Sequence, residues 1–531
     1  MGLPVAHVAI GLAVLLLIIL LRIWRPSQKR RLLPAYAPLE IAVTTGCLAA
    51  GGVAGKIRNY FRHYSGSLFG IAKGHQVVHN MENVDRILLQ PYHILDNHQV
   101  GWTMFRRVFG ADGEDEDLHD KLLAAKKDLF AAVERGFLSE SGADNALKCA
   151  DIPRRASHLV TFAATDEDLQ PWERSADVRL VPAGDVETKS AVHADMLSLV
   201  RDFGATITIP LLCGRNFLAK YPGCLADIWK FDHDAFPLLL LGFPTWLPFG
   251  GFQEGLQARS RLLNQMTALH HRIEQHQEKP PVDGGTDMSD LPAVTLARHA
   301  AFRTHGFSPR QRGITDFALL LGQNGNTQPL IFWFLLFSYS TPGLLADLRA
   351  ELAAHVRVAP GGGEIVAFDT AAVTRDCPLL KSVLLETFRL TNDPVSIRYV
   401  ASPLDVPDGE LRHRLHPGTW LSVPHGVVQR DASVFPSPES FVPRRFIEVD
   451  PVTGKRTARP GPMRPWGAGV GACKGRTFAE KEILCVGAAI LVLWEMEPAD
   501  GRPWVVPAMR PGTGVMRPAA DVRVAIRRRV V

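Results

Sequence analysis

Of the seven cysteines scattered through this 531-residue chain, Cys473 has the setting best suited to chemistry. It lies in Pro465-Trp466-Gly467-Ala468-Gly469-Val470-Gly471-Ala472-Cys473-Lys474-Gly475-Arg476, and the apolar pattern that follows (Phe478, Ile483, Leu484, Val486, Ile490, Leu491) predicts a helix over 476–493. Cysteine binds metal as the thiolate, which backbone N–H donors and the positive end of a helix dipole favour. Glycines at 467, 469, 471 and 475 let such a loop turn tightly and pass close to a flat macrocycle. The chemistry implied is thiolate ligation of haem iron, which pushes electron density onto the metal and favours O–O cleavage. An isolated cysteine in a glycine-rich turn is usually a packed small residue, so the surrounding segments decide between the two.

Those segments match a family. Trp466-x-x-Gly469-x-x-x-Cys473-x-Gly475 resembles the cysteine loop of the cytochrome P450 superfamily, with Trp where most members have Phe. Glu386-Thr387-Phe388-Arg389 resembles the family's Glu-x-x-Arg helix, with both charges on one helical face at i, i+3. Phe441-Val442-Pro443-Arg444-Arg445-Phe446 resembles the segment whose arginine, here Arg445, joins that pair in a buried ion network. Arginine suits the place because its planar fork holds two acceptors at once. Arg398, in a strand-like stretch over 395–400, falls where the family commonly sets a cation against a haem propionate. Each motif is weak alone, and their order and spacing together carry the resemblance.

The resemblance implies haem b (iron protoporphyrin IX) as cofactor, with Cys473 as the axial ligand. Trp466, Gly469, Gly475 and Arg398 are then cofactor contacts, and Glu386, Arg389 and Arg445 support the loop. For a second propionate cation, Trp102-x-x-x-Arg106 matches the family's letters, and Lys121, opening the next helix, serves equally well. Gly471 stands where the family often has a basic residue.

Leu319-Leu320-Leu321-Gly322-Gln323-Asn324-Gly325-Asn326-Thr327-Gln328-Pro329 falls where the family keeps its oxygen-handling signature. Thr327 keeps the hydroxyl, Asn326 replaces the acid and Asn324 replaces a glycine. Pro329 has no N–H for the Gly325 carbonyl, so a carbonyl, a hydroxyl and carboxamides are expected to face the iron, with Thr327 and Asn326 as catalytic groups. The plainer reading is a Gly/Pro kink in a buried helix. An amide orients water but does not titrate as a carboxylate does. Three functions follow: a monooxygenase using reductase electrons and O2, an isomerase or dehydratase working without external electrons, or a non-catalytic haem protein. Asn-Gly-Asn-Thr-Gln-Pro with Leu330-Ile331-Phe332-Trp333 resembles the group holding the bile-acid sterol hydroxylases and prostacyclin synthase, as does Phe231-Asp232-x-x-x-Phe236-Pro237 with Gly242-x-Pro244. That group contains both chemistries. Its hydroxylases include members with Asn-Thr here, so hydroxylation leads.

The elements that must position these residues are mainly helical. Helical patterns run over 121–134 and 314–352, a hairpin over 68–78 and a terminal strand over 521–526, which predicts a mainly α fold with small β-sheets (α+β). A net charge of +5 and 46% hydrophobic residues fit a large core, and the scattered, odd cysteines argue against a disulfide framework. Residues 2–21 carry no formal charge and are followed by Arg22, Arg25, Lys29, Arg30 and Arg31. About twenty apolar residues span a bilayer, and the basic cluster places its own side in the cytosol. The expectation is one anchor, 1–31, in the endoplasmic reticulum membrane, and one cytosolic haem-binding catalytic domain, 32–531. The apolar stretch 236–249 reads either as a second membrane contact or as a core helix followed by a turn. Lys474, Arg476 and Lys481 would form a basic face that steers an acidic reductase. The expected partners are therefore NADPH-cytochrome reductase, a lipophilic small-molecule substrate and membrane lipid, with no nucleic acid.

Overall fold

The long helices arise where apolar stripes meet capping residues. Leu118, Ala125, Leu129, Ala132 and Val133 bury one face of α1 (Leu118–Val133). They are followed by α2 (Met196–Thr208), α3 (Gly250–Glu278) and α4 (Ala293–Thr304). Next, α5 (Pro309–Asn324) starts on a capping box, in which the Ser308 hydroxyl accepts from the Gln311 N–H and the Gln311 side chain returns to Ser308, with Pro309 at the first turn. Helix α6 (Thr327–Ser340) is buried on nearly every side, which is why its sequence shows no polar face. The remaining long helices are α7 (Pro378–Thr391) and α8 (Arg476–Leu493), the latter with the predicted bounds.

The computed structural model describes residues 68–72, 75–78, 84–111, 115–181, 190–278, 288–408, 411–510, 512 and 514–530. The anchor expected over 1–31 lies outside them. The described residues belong to one compact unit, 38–531. Met196–Cys213 is long and apolar enough to cross a membrane, but 67% of it is buried inside this body, which makes it core.

Two sheets frame the helices. In chain order the strands are β1 (Leu68–Ala72), β2 (His75–Val78), β3 (Leu95–Asp96), β4 (Arg179–Val181), β5 (Ala191–Asp195), β6 (Val395–Val400), β7 (Trp420–Pro424), β8 (Trp494–Pro498) and β9 (Arg523–Arg528). The first sheet runs β1-β2-β7-β6-β3, with β7 parallel to β2 and its other pairings antiparallel. The second runs β8-β9-β5-β4. The hairpin expected over 68–78 is β1-β2, and the expected terminal strand is β9, begun two residues later than its alternation indicated.

The helical pattern over 314–352 divides into three helices, α5, α6 and Leu344–Leu352. The first break, at Gly325-Asn326, lies four residues before Pro329, whose ring and missing N–H disfavour a continuous helix there. The second falls at Thr341-Pro342-Gly343, where Gly343 has φ +76°. In the stretch 236–249, Phe236–Leu240 is a helix with Phe236 and Leu239 buried, while Trp246 is 76% exposed and Phe249 53%. The stretch is thus a short helix on the core followed by an exposed turn.

Candidate functional site

The loop 465–475 is fixed from two sides. The Cys473 N–H donates to the Trp466 carbonyl at 2.8 Å, closing the loop on itself. Gly469 has φ +64°, and a Cβ there would lie 1.9 Å from the Leu88 carbonyl oxygen, so no other residue fits. Trp466 packs edge-on against Phe388 of α7, with ring centroids 4.8 Å apart, and the Asn392 Nδ2 donates to the Pro465 carbonyl at 3.1 Å.

At the loop's end, Gly475 caps α8. The N–H groups of Gly475 and Arg476 donate to the Cys473 sulfur. Cys473 is exposed as a residue, yet the surrounding body desolvates its sulfur and raises the thiol pKa, against the lowering effect of those donors and of the Arg476 and Lys474 charges. Of the other described cysteines only Cys149 is exposed.

Behind the loop is a buried ion network. Glu386 and Arg389 on α7 are both fully buried, and Arg389 donates through Nε and Nη2 to the two Glu386 oxygens at 2.8 Å each. The Arg445 Nε donates to the same oxygens at 3.1 and 3.0 Å, and the Val442 N–H adds a bond of 2.8 Å. Arg389 also donates to the carbonyls of Gln429, Pro438 and Ser440, and Arg445 to that of Pro436. One carboxylate and two guanidinium forks thus join α7 to the segment 429–446, with every strong donor directed to an acceptor.

Arg398 enters from β6, paired across the sheet with Leu421. It is 2% exposed, and its Nη2 donates to the Ala468 carbonyl at 2.9 Å, so the guanidinium lies on the cysteine loop. A Cβ on Gly471 would come within 2.6 to 2.8 Å of that guanidinium, so glycine at 471 is what admits the arginine. The Arg398 Nε is buried with no partner, and no carboxylate pairs with this arginine among the described residues. A buried cation with an unspent donor beside an exposed thiol fits a group that brings both a metal and an anion, as haem does.

The helix break places its polar groups unequally. Thr327 opens α6 and is buried. Asn326 is exposed, and its Oδ1 accepts from the Val515 N–H at 2.9 Å, which ties the break to the segment 514–517. Asn324 corrects the expectation that both carboxamides face the iron. It is fully buried, accepts from the Thr208 hydroxyl at 2.9 Å and donates to the Leu320 carbonyl at 3.0 Å, because a buried amide must spend both ends inside the protein.

Two of the expected cations have carboxylate partners. The Lys121 Nζ lies 2.6 Å from Asp117 and 3.1 Å from the Gln311 Oε1, at the start of α5. Lys481 pairs with Glu140 and Asp144 at 2.6 Å each, which leaves Lys474 and Arg476 as the exposed cations of the expected basic face.

Sequence reasoning missed Asn392, and it missed the Ser396 hydroxyl bonded to the His425 Nε2 at 2.9 Å beside the loop. Neither carries a sequence signal. It also missed Gln328 and Glu482, which meet at 2.9 Å in the core. For Glu482 a signal existed, since it is the last acid before the unbroken apolar run 483–493 of its helix pattern.

Comparison with known proteins agrees with this geometry. The sequence profile of the cytochrome P450 family matches residues 230–524. The chain is 27% identical over 300 residues to the cytochrome P450 monooxygenase poxD of Penicillium oxalicum, covering 56% of this chain and 57% of that protein. It is 29% identical over 313 residues to the 5-beta-cholestane-3-alpha,7-alpha-diol 12-alpha-hydroxylase of Sus scrofa, covering 56% and 58%. Against human prostacyclin synthase it is 32% identical over 217 residues, covering 39% and 43%. The chain spans about half the length of the curated relatives it matches. The family's cofactor is haem b, its iron held by a cysteine thiolate. The profile match extends over more than half of the sequence and takes in the helix break, the Glu386 network, Arg398 and the Cys473 loop, and this chain belongs to the cytochrome P450 family.

Proposed function

We propose that this chain is a membrane-bound haem-thiolate monooxygenase. It inserts one oxygen atom of O2 into a lipophilic small molecule, such as a sterol, terpenoid or other specialised metabolite, with NADPH-derived electrons from a cytochrome reductase. The observation that carries this reading is the exposed Cys473 under two N–H donors, with the Arg398 guanidinium, its Nε unspent, against the same loop and the Glu386 network behind it.

In this reading Cys473 would hold the haem iron through its thiolate, and the bound cation would offset the desolvation that otherwise raises its thiol pKa. Arg398 pairs with a propionate, and Trp466 and Gly469 shape the loop against the macrocycle. Bound through the thiolate, haem b supplies the electron-rich iron at which dioxygen is reduced and split. Thr327 holds and orients water at the helix break through its hydroxyl. Asn326 orients that water through its amide, which the Val515 N–H holds in place. Residues 1–31 anchor the chain in the endoplasmic reticulum membrane, and 32–531 form the cytosolic catalytic domain. Lys474 and Arg476 steer the reductase toward the loop.

An isomerase or dehydratase is the second reading, favoured by the amide at 326 in place of an acid. The carbon monoxide difference spectrum separates the two. A red-shifted thiolate band is expected both with dithionite and with NADPH plus reductase. A band with dithionite alone, persisting with saturating lipophilic ligands, would sink the monooxygenase reading.

The exposed Trp246 and Phe249 support a lipid contact near residues 242–249. Burying each ring is worth about 1.5–3 kcal/mol. Replacing both by serine in a chain lacking residues 1–31 should therefore lower vesicle partitioning at least about tenfold in flotation assays. Unchanged partitioning would leave this segment an ordinary surface turn.

A further inference from the structure

Arg107 makes no ion pair among the described residues. It ends the helix His98–Arg107 and is half-buried, and its Nη1 is buried with no hydrogen-bond partner. Burial, with the charge of Arg106 beside it, holds its pKa below the usual guanidinium range, and no carboxylate opposes them. A guanidinium does not shed its proton in a folded protein, so a buried donor of this kind calls for an acceptor. Two more arginines reach the turn that follows. Arg259 of α3 donates to the Val108 carbonyl at 3.4 Å, and Arg310 of α5 donates to the Gly110 carbonyl at 3.0 Å and pairs with Asp115 at 3.4 Å. Four guanidinium groups thus gather at one end of the helix, a field that favours an anion.

The same helix borders an open space. It packs against β6, α5 and the helix Phe236–Leu240, and Phe109 just beyond it sets its ring edge-on against Phe317 of α5 and Phe236, with centroids 5.5 and 6.4 Å away. Its exposed positions are Gln99 and Arg106, and Gly101 lies on the opposite face. Yet a Cβ on Gly101 would meet no atom within 4 Å, and no residue of the helix is buried, the apolar Trp102 and Phe105 included. On α5, Gly322 is exposed with nothing within 4 Å of its Cβ position, and Asn326, four residues on, is exposed too. Protein interiors are close-packed, so open faces on two neighbouring helices mark a space for ligand.

Resting on the monooxygenase reading, we propose that Arg107 binds an acidic group of the substrate, which makes that substrate a lipophilic carboxylic acid rather than a neutral sterol or terpene alcohol. A carboxylate offers two coplanar oxygens to the guanidinium fork and satisfies the buried Nη1 donor. Trp102 and Phe105 give the apolar body of the acid a surface to lie against. Held at its acidic end, the substrate presents a carbon remote from the carboxylate to Thr327 and Asn326 at the helix break. The oxygen atom is then placed on the hydrocarbon part, and the carboxylate leaves the reaction unchanged.

The test uses the full-length holoprotein in reductase-containing membranes and follows the ferric-haem absorbance shift that substrate binding causes, which needs no electrons. The probes are hexadecanoic acid and lithocholic acid, each beside its methyl ester. The wild type should bind at least one of the acids about tenfold or more tighter than its ester. Arg107→Leu should weaken that acid about 10- to 100-fold, leave the ester where it was, and keep haem content and melting temperature. Arg107→Lys should fall between the two, because an ammonium keeps the charge and loses the fork.

Equal binding of acids and esters by the wild type, no binding of either acid, or an Arg107→Leu protein that prefers the acid as strongly as wild type overturns the proposal. So does haem loss in Arg107→Leu that Arg107→Lys repairs, since Arg107 would then serve a propionate. An acid preference that depends on Arg107, in a protein that oxidises no NADPH with any of these probes, overturns the monooxygenase reading while the acid-binding site stands.

Discussion

Substituting Cys473 by serine is expected to abolish the red-shifted carbon monoxide band completely while leaving the apoprotein fold intact. The two halves of this prediction have separate causes. The serine hydroxyl stays neutral at any pH at which the protein is folded, so the Gly475 and Arg476 N–H groups would face a weak neutral ligand instead of an anion. The side chain is exposed, and one-atom changes at exposed sites usually shift stability by less than about 0.5 kcal/mol. Circular dichroism melts of the haem-free proteins should therefore coincide. The other described thiols are poor substitutes. Burial drives Cys224 and Cys377 up to about 12 and also raises Cys213 and Cys485, and Cys149 lies on another helix, Glu140–Ala150. A thiolate band surviving in Cys473→Ser would sink the ligand assignment.

The second large effect concerns Arg389. Changing it to methionine leaves Glu386 buried with Arg445 as its remaining cation, and it strips the Gln429, Pro438 and Ser440 carbonyls of a donor. Breaking a buried pair by removing one partner costs about 3–5 kcal/mol, against a total stability of about 5–15 kcal/mol for a native protein. The variant should accumulate poorly and bind little haem, and urea unfolding should show an earlier midpoint. Arg389→Lys keeps the charge and tests the geometry, because one ammonium cannot serve Glu386 and three carbonyls from a single point. It should lose more than half the stability lost by methionine. A lysine variant with wild-type midpoint and haem content would mean that charge alone, and not the fork, holds this corner together.

The motifs that could be read in one dimension are those whose chemistry depends on short spacing. A cysteine followed by a helix start, or a glutamate three residues before an arginine, fixes its own local geometry whatever surrounds it. The bounds of α8 and β6 followed from apolar patterns of period 3.6 and 2 in the same way. Other elements were legible only in part. The run 314–352 carries one helical period throughout, and its division into three helices depends on how strongly Pro329 and the turn at 341–343 interrupt it.

The tertiary structure alone decided how the polar groups are spent. Asn324 and Asn326 are two residues apart and chemically identical, yet one is satisfied by a threonine 116 residues away and the other by a backbone N–H 189 residues away. Lys121 and Lys481 are each matched with a carboxylate at 2.6 Å once the helices pack. Glu482 and Gln328 are 154 residues apart, and nothing periodic links them. Composition and local spacing therefore determined that this chain builds a thiolate site supported by a buried ion network. Which donors and acceptors remain available at that site is set by long-range packing, because a hydrogen bond depends on atoms within about 3 Å and not on their distance along the chain.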